Sequence, residues 1–140
     1  MFVSDRDSSR TIFFQVWEKQ LNSELMEPLE HLISYIISIH PEYHHIFDNK
    51  ENMSRDFNDT NDMENPFLHM GLHIAVREQL DTNRPPGITV QYQRLLKKYQ
   101  SEHQAQHLLM ECLQKSLWQA QIEGAIPDES AYLECVSNLR

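Results

Sequence analysis

The sequence predicts an all-α protein, an up-down helical bundle of about five to six helices. Three observations carry this. Apolar residues recur at three- and four-residue spacing through most of the chain. Clear punctuation bounds those stretches, with Asn65-Pro66, Ser101 and Pro127-Asp128 at starts and Gly124 at an end. No stretch alternates polar and apolar residues beside a hairpin turn, so no strand is expected.

Residues 1–8 read as a loose polar arm. Ser9 is a plausible N-cap, and Ile12, Phe13, Phe14, Val16, Trp17 and Leu21 then form one broad apolar face. The second helix starts near Glu27 with Pro28 in its first turn, where a missing N–H costs nothing. Leu29, Leu32, Ile33, Ile36, Ile37 and Ile39 carry it to His40, where Pro41 disfavours further α geometry. A short turn over Pro41 to Phe47 follows. Residues 48–64 form an acidic, Asn-rich loop, long enough to cover something. Its Asp56–Asp62 run faintly resembles a calcium loop but lacks the turn glycine and the closing glutamate, so a solvated loop is the better reading.

Asn65 caps a third helix with Pro66 at its first position, and the apolar pattern runs to about Thr82. Asn83-Arg84-Pro85-Pro86-Gly87 breaks it. A fourth helix spans about Ile88 to Tyr99. Ser101 to Gln104 has the outline of a capping box, and the long fifth helix ends at Gly124. Pro127-Asp128 opens a last short helix through Tyr132, Leu133 and Val136. Trp17, Trp118 and the six methionines read as core filling.

One helical domain of 140 residues is the simplest organisation. A net charge of -9 argues against nucleic-acid binding, which needs a basic surface. No apolar run is long enough to span a membrane, and no secretory h-region is visible. Cys112 and Cys135 form no CxxC, so they read as buried thiols in a reducing compartment, and a cytoplasmic location is expected.

The chemistry lies in the histidines. His40/His44, His69/His73 and His103/His107 are each four residues apart. That spacing stacks two imidazoles on one helix face, within reach of one cation. Eight histidines placed at random would give roughly 0.4 such pairs, so three make a pattern rather than a coincidence. In an up-down bundle, the end of helix two, the start of helix three and the start of helix five meet at one end. The fourth helix, shorter than the third, stops about 7 Å short of that end and brings His103 and His107 near the depth of His73. Glu111 continues the His103/His107 stripe and offers a carboxylate. Histidine-rich ligands without many carboxylates suit zinc, iron or copper better than magnesium or calcium. Arg77 continues the His69/His73 stripe. A cation there calls for an intervening carboxylate or a small anionic ligand. His31 and Glu78 fall out of phase and read as surface.

His40-Pro41-Glu42-Tyr43-His44, Asn65-Pro66-Phe67-Leu68-His69-Met70-Gly71-Leu72-His73, Arg77-Glu78-Gln79, Arg84-Pro85-Pro86-Gly87-Ile88 and Met110-Glu111-Cys112-Leu113 resemble, over nearly the whole chain, a family of small proteobacterial proteins catalogued as domain of unknown function family 1841. That resemblance implies no activity. More loosely, the histidine layout is similar to hemerythrin-like and DinB-like bundles, which hold iron or zinc with HxxxH and HxxxE pairs. Pro41 after His40 and Arg77 depart from both.

Two functional expectations follow. The first is a transition-metal-binding bundle, with zinc or iron held by His69, His73, His103 and His107, helped by His40, His44 and Glu111, and with Arg77 near a small anion. The second is a non-enzymatic interaction module, in which the histidines are structural and the Phe13, Phe14 and Trp17 face docks a partner or a second copy.

Overall fold

The punctuation read from the sequence is realised by side chains that satisfy helix ends. Asn65 Oδ1 accepts from the N–H groups of Phe67 and Leu68 at 3.0 and 3.2 Å. Ser101 Oγ accepts from Gln104 N at 3.1 Å, and Asp128 Oδ1 from Ser130 N and Ala131 N. Each satisfies backbone donors that a helix start leaves without an intrahelical partner. Glu30 Oε1 accepts from Glu27 N at 2.8 Å, one half of a capping box at the second helix. Gly124 closes the fifth helix with φ of 64°, a left-handed cap that favours glycine.

The computed structural model describes residues 6–55, 57 and 65–140. Six α-helices lie among them: α1 Arg6–Leu21, α2 Pro28–Ser38, α3 Pro66–Thr82, α4 Ile88–Tyr99, α5 Glu102–Glu123 and α6 Glu129–Ser137. Two 3-10 helices, Pro41–Asp48 and Lys50–Met53, follow α2. No strand occurs among the described residues, and the class is all-α as expected. α1 starts at Arg6, ahead of the expected Ser9 cap, and Lys50–Met53 is a helical turn inside the expected acidic loop. The calcium-like run lies outside the described residues, apart from Phe57.

The chain separates into two compact units, Met1–Met70 and Gly71–Arg140, with the boundary inside α3. In the first, α1 packs on α2 and on the Lys50–Met53 turn. Its core is an aromatic cluster: Phe14 meets Phe47 at 5.1 Å between ring centroids, Phe13 meets Phe67 at 5.8 Å, and Phe57 meets Phe67 at 6.0 Å. Edge-to-face contacts of this kind add to the area that the rings bury. Arg10 is buried against the cluster. Its guanidinium donates to the carbonyls of Met53 and Arg55 and lies 4.7 Å from the Phe67 ring centre. Phe13 and Phe14 are therefore core residues, and the docking face expected of them and Trp17 is not presented: Trp17 is half-buried against Phe47 and His44.

In the second unit, α5 packs on α4 and α6, and α6 also reaches α4. Val76, Ile88, Leu95, Leu109 and Val136 are fully buried in the core between the helices. Arg94 on α4 donates to the carbonyls of Val136 and Leu139 at the end of α6. Tyr132 on α6 donates from its hydroxyl to Gln79 Oε1 on α3 at 2.6 Å.

Cys112 on α5 and Cys135 on α6 are disulfide-bonded, with Cα atoms 5.8 Å apart. The expectation of two free thiols is overturned, and with it one of the grounds for a cytoplasmic location. Two helices brought side by side set this pairing, which a separation of 23 residues in sequence does not reveal. Trp118 is also not core: it is 63 % exposed. No helix of the described residues is long and apolar enough to cross a membrane.

Candidate metal centre

The second unit gathers three imidazoles. His73 is contributed by α3, His103 and His107 by the first two turns of α5. Ring centroids are 3.9 Å apart for His103 and His107, 5.2 Å for His73 and His107, and 6.1 Å for His73 and His103. His73 and His107 each offer a ring nitrogen within 4.8 Å of the other. Three imidazoles on a tetrahedral metal, with metal–nitrogen bonds of about 2.0–2.1 Å, would place ring centres about 5 Å apart. The His73–His107 separation matches that value, and the two separations from His103 lie on either side of it. The His103/His107 spacing comes from the helix itself, since residues four apart stack on one face.

Exposure falls steadily across the three. His103 is exposed, His107 is half-buried and His73 is fully buried. The cluster therefore opens to solvent on one side and is rooted in the core on the other. At its root, His73 Nε2 is 2.6 Å from Gln106 Oε1, and Gln106 Nε2 donates to Tyr92 Oη at 3.2 Å. Gln106 and Tyr92 are both buried. Neither was picked out from the sequence, because a glutamine beside two histidines carries no spacing signature.

The first unit holds a second imidazole pair. His40, fully buried, and His69, half-buried, lie 4.9 Å apart edge to face. His40 Nδ1 donates to the carbonyl of Ile36 at 2.7 Å. A carbonyl only accepts, so the proton sits on Nδ1 and the lone pair of the neutral ring on Nε2. Tyr43 packs against both rings. His44 has a different setting from its expected partner His40. Its Nε2 donates to the carbonyl of Ile37 at 2.8 Å, and its ring lies 4.8 Å from Trp17. Pro41 starts a 3-10 turn there, so His40 and His44 do not share an α-helix face.

Glu111 is exposed and lines a shallow groove with Gln114, Lys115 and Trp118. Arg77 is half-buried on α3, one turn beyond His73. His31 and Glu78 are exposed, as their phase implied.

A family profile described as a domain of unknown function, DUF1841, matches residues 5–138. The chain belongs to the DUF1841 family. The match takes in all eight histidines and both cysteines. That description assigns no activity to the family. No curated protein and no solved structure gives a significant match.

Proposed function

We propose that this protein binds a transition metal, zinc or iron, through His73, His103 and His107. The observation that supports this best is the approach of three imidazoles from two helices, rooted in the core by His73. Neutral nitrogen donors in this number suit zinc and iron and leave a fourth position open on the solvent side. Three imidazoles cancel none of the metal's charge. Arg77, one turn from His73, adds a further cation, so the open position favours a small anion or hydroxide. A metal held this way lowers the pKa of bound water or polarises an anionic substrate.

Elemental analysis of the untagged protein tests the reading. Close to one equivalent of zinc or iron is expected, and His73→Ala/His103→Ala should lose most of it. Less than about a tenth of an equivalent, with no thermal shift on adding zinc or ferrous iron, would overturn it. The same loading measured on His40→Ala, His44→Ala, His69→Ala and Glu111→Gln variants extends or trims the ligand set.

A second reading, a non-enzymatic module that self-associates, is favoured by the apolar end of α5. Trp118 is 63 %, Ile122 60 % and the following Ile126 88 % exposed. Light scattering over a concentration series tests it. Trp118→Glu should abolish any dimer, and a strictly monomeric wild type removes the reading.

A further inference from the structure

We propose that Gln106 and Tyr92 are positioning residues that hold His73 as its Nε2–H tautomer, so that Nδ1 is the atom it offers to a metal. The proposal rests on the metal reading above. Gln106 lies on α5 between His103 and His107, yet its side chain is 3 % exposed and faces the core. A buried amide is costly unless both of its ends are used. Here both are: the oxygen meets His73 Nε2 at 2.6 Å and the nitrogen meets Tyr92 Oη at 3.2 Å.

The two contacts fix a direction. With the amide nitrogen donating to the tyrosine oxygen, the amide oxygen is the end that meets His73, and an amide oxygen can only accept. A histidine nitrogen facing an acceptor carries the proton. A neutral imidazole has one proton, so the lone pair resides on Nδ1. The ring is oriented before any metal arrives, which removes part of the ordering cost of binding. The choice of amide matters too. A carboxylate at this place would make the ring more electron-rich and bind metal more tightly. A glutamine fixes geometry without adding negative charge, which keeps the centre strongly cationic and receptive to an anion.

This gives Gln106 a role distinct from packing. His103 and His107 are oriented by helix spacing and lie towards solvent, whereas His73 depends on a side chain of α5 for its tautomer. The helix that supplies two ligands thus also sets the third.

The test pairs nitrogen-15 NMR of the metal-free protein with zinc titration. In the wild type, His73 should show a single tautomer protonated at Nε2, and zinc should bind near one equivalent. Gln106→Leu should give mixed His73 tautomers and a 10- to 100-fold weaker apparent Kd for zinc, the usual effect of losing such a partner. Gln106→Glu should keep the Nε2–H tautomer and bind zinc at least as tightly as wild type, which a purely structural role would not produce. Tyr92→Phe, a milder change, keeps the test usable if Gln106→Leu fails to fold, and should weaken zinc binding severalfold. Failure of the underlying metal reading shows as a wild type that takes up no zinc. Failure of the positioning role shows as a wild type that binds zinc with His73 protonated at Nδ1 or mixed, or as a Gln106→Leu protein with unchanged affinity.

Discussion

Reducing the Cys112–Cys135 disulfide should cost this protein a large share of its stability. The bond closes a loop across 23 residues of sequence, from the middle of α5 to the last turns of α6. Chain-entropy bookkeeping for a loop of that length gives about 3.4 kcal/mol at 25 °C, arising mainly from restriction of the unfolded chain. Small proteins have only about 5–15 kcal/mol in total, so the loss is a large fraction. The melting midpoint of a chain this size should drop by about 10 °C. Reduction leaves the native packing nearly intact, because Cys112 is buried and a buried thiol behaves as a small apolar group. The comparison of oxidised with reduced wild type is therefore cleaner than a mutant. Urea denaturation of both forms, with thiols blocked in the reduced one after unfolding, measures the difference. Two thiols titrating in unfolded, unreduced protein would refute the pairing. Unfolding free energies from urea that coincide to within about 0.5 kcal/mol would refute the entropic argument.

Three further outcomes follow from side chains in the two units. Arg10→Leu removes a charged donor from two backbone carbonyls and a cation from the Phe67 face, and should lower stability by about 3 kcal/mol in urea denaturation, with Arg10→Lys recovering only part. Burial pushes the Tyr132 phenol well above its ordinary 10.0, so the native state holds that proton more tightly than the unfolded chain. Its contribution is complete below about pH 10 and declines as pH rises beyond it, so Tyr132→Phe should cost about 1 kcal/mol at pH 8 and show a flatter alkaline limb when midpoints are followed to pH 11. Asp128→Ala leaves the Ser130 and Ala131 N–H groups without their cap and should cost about 1 kcal/mol, seen as a lower urea midpoint with the native circular dichroism retained.

The helix boundaries were legible because local chemistry writes them. Asn65-Pro66 and the Pro85-Pro86-Gly87 break set α3 and the start of α4 from residues a few positions apart. The His103/His107 pair was legible for the same reason, since one helix places both rings. Features that depend on which helix lies beside which were not. The Cys112–Cys135 bond needs α6 against α5, and the apolar stripe of α5 gives no sign of where neighbours stop covering it, so Trp118 read as core and is exposed. The role of Arg10 carried no sequence signal, because a single arginine does not announce two carbonyl acceptors more than 40 residues away. Gln106 was silent for a related reason. Its role exists only through His73, 33 residues earlier.

The two tryptophans have a practical consequence. Trp17 belongs to the first unit and is half-buried against the Phe47 ring and the His44 imidazole. Trp118 belongs to the second and stands mostly in water. The chain thus carries one indole per unit, one half-buried and one mostly exposed, and their fluorescence should separate by colour. Emission from the shielded ring lies to the blue and shifts on unfolding. Emission from the wet ring already lies to the red and barely moves. Shift of the blue component follows the first unit alone, without any dye or label.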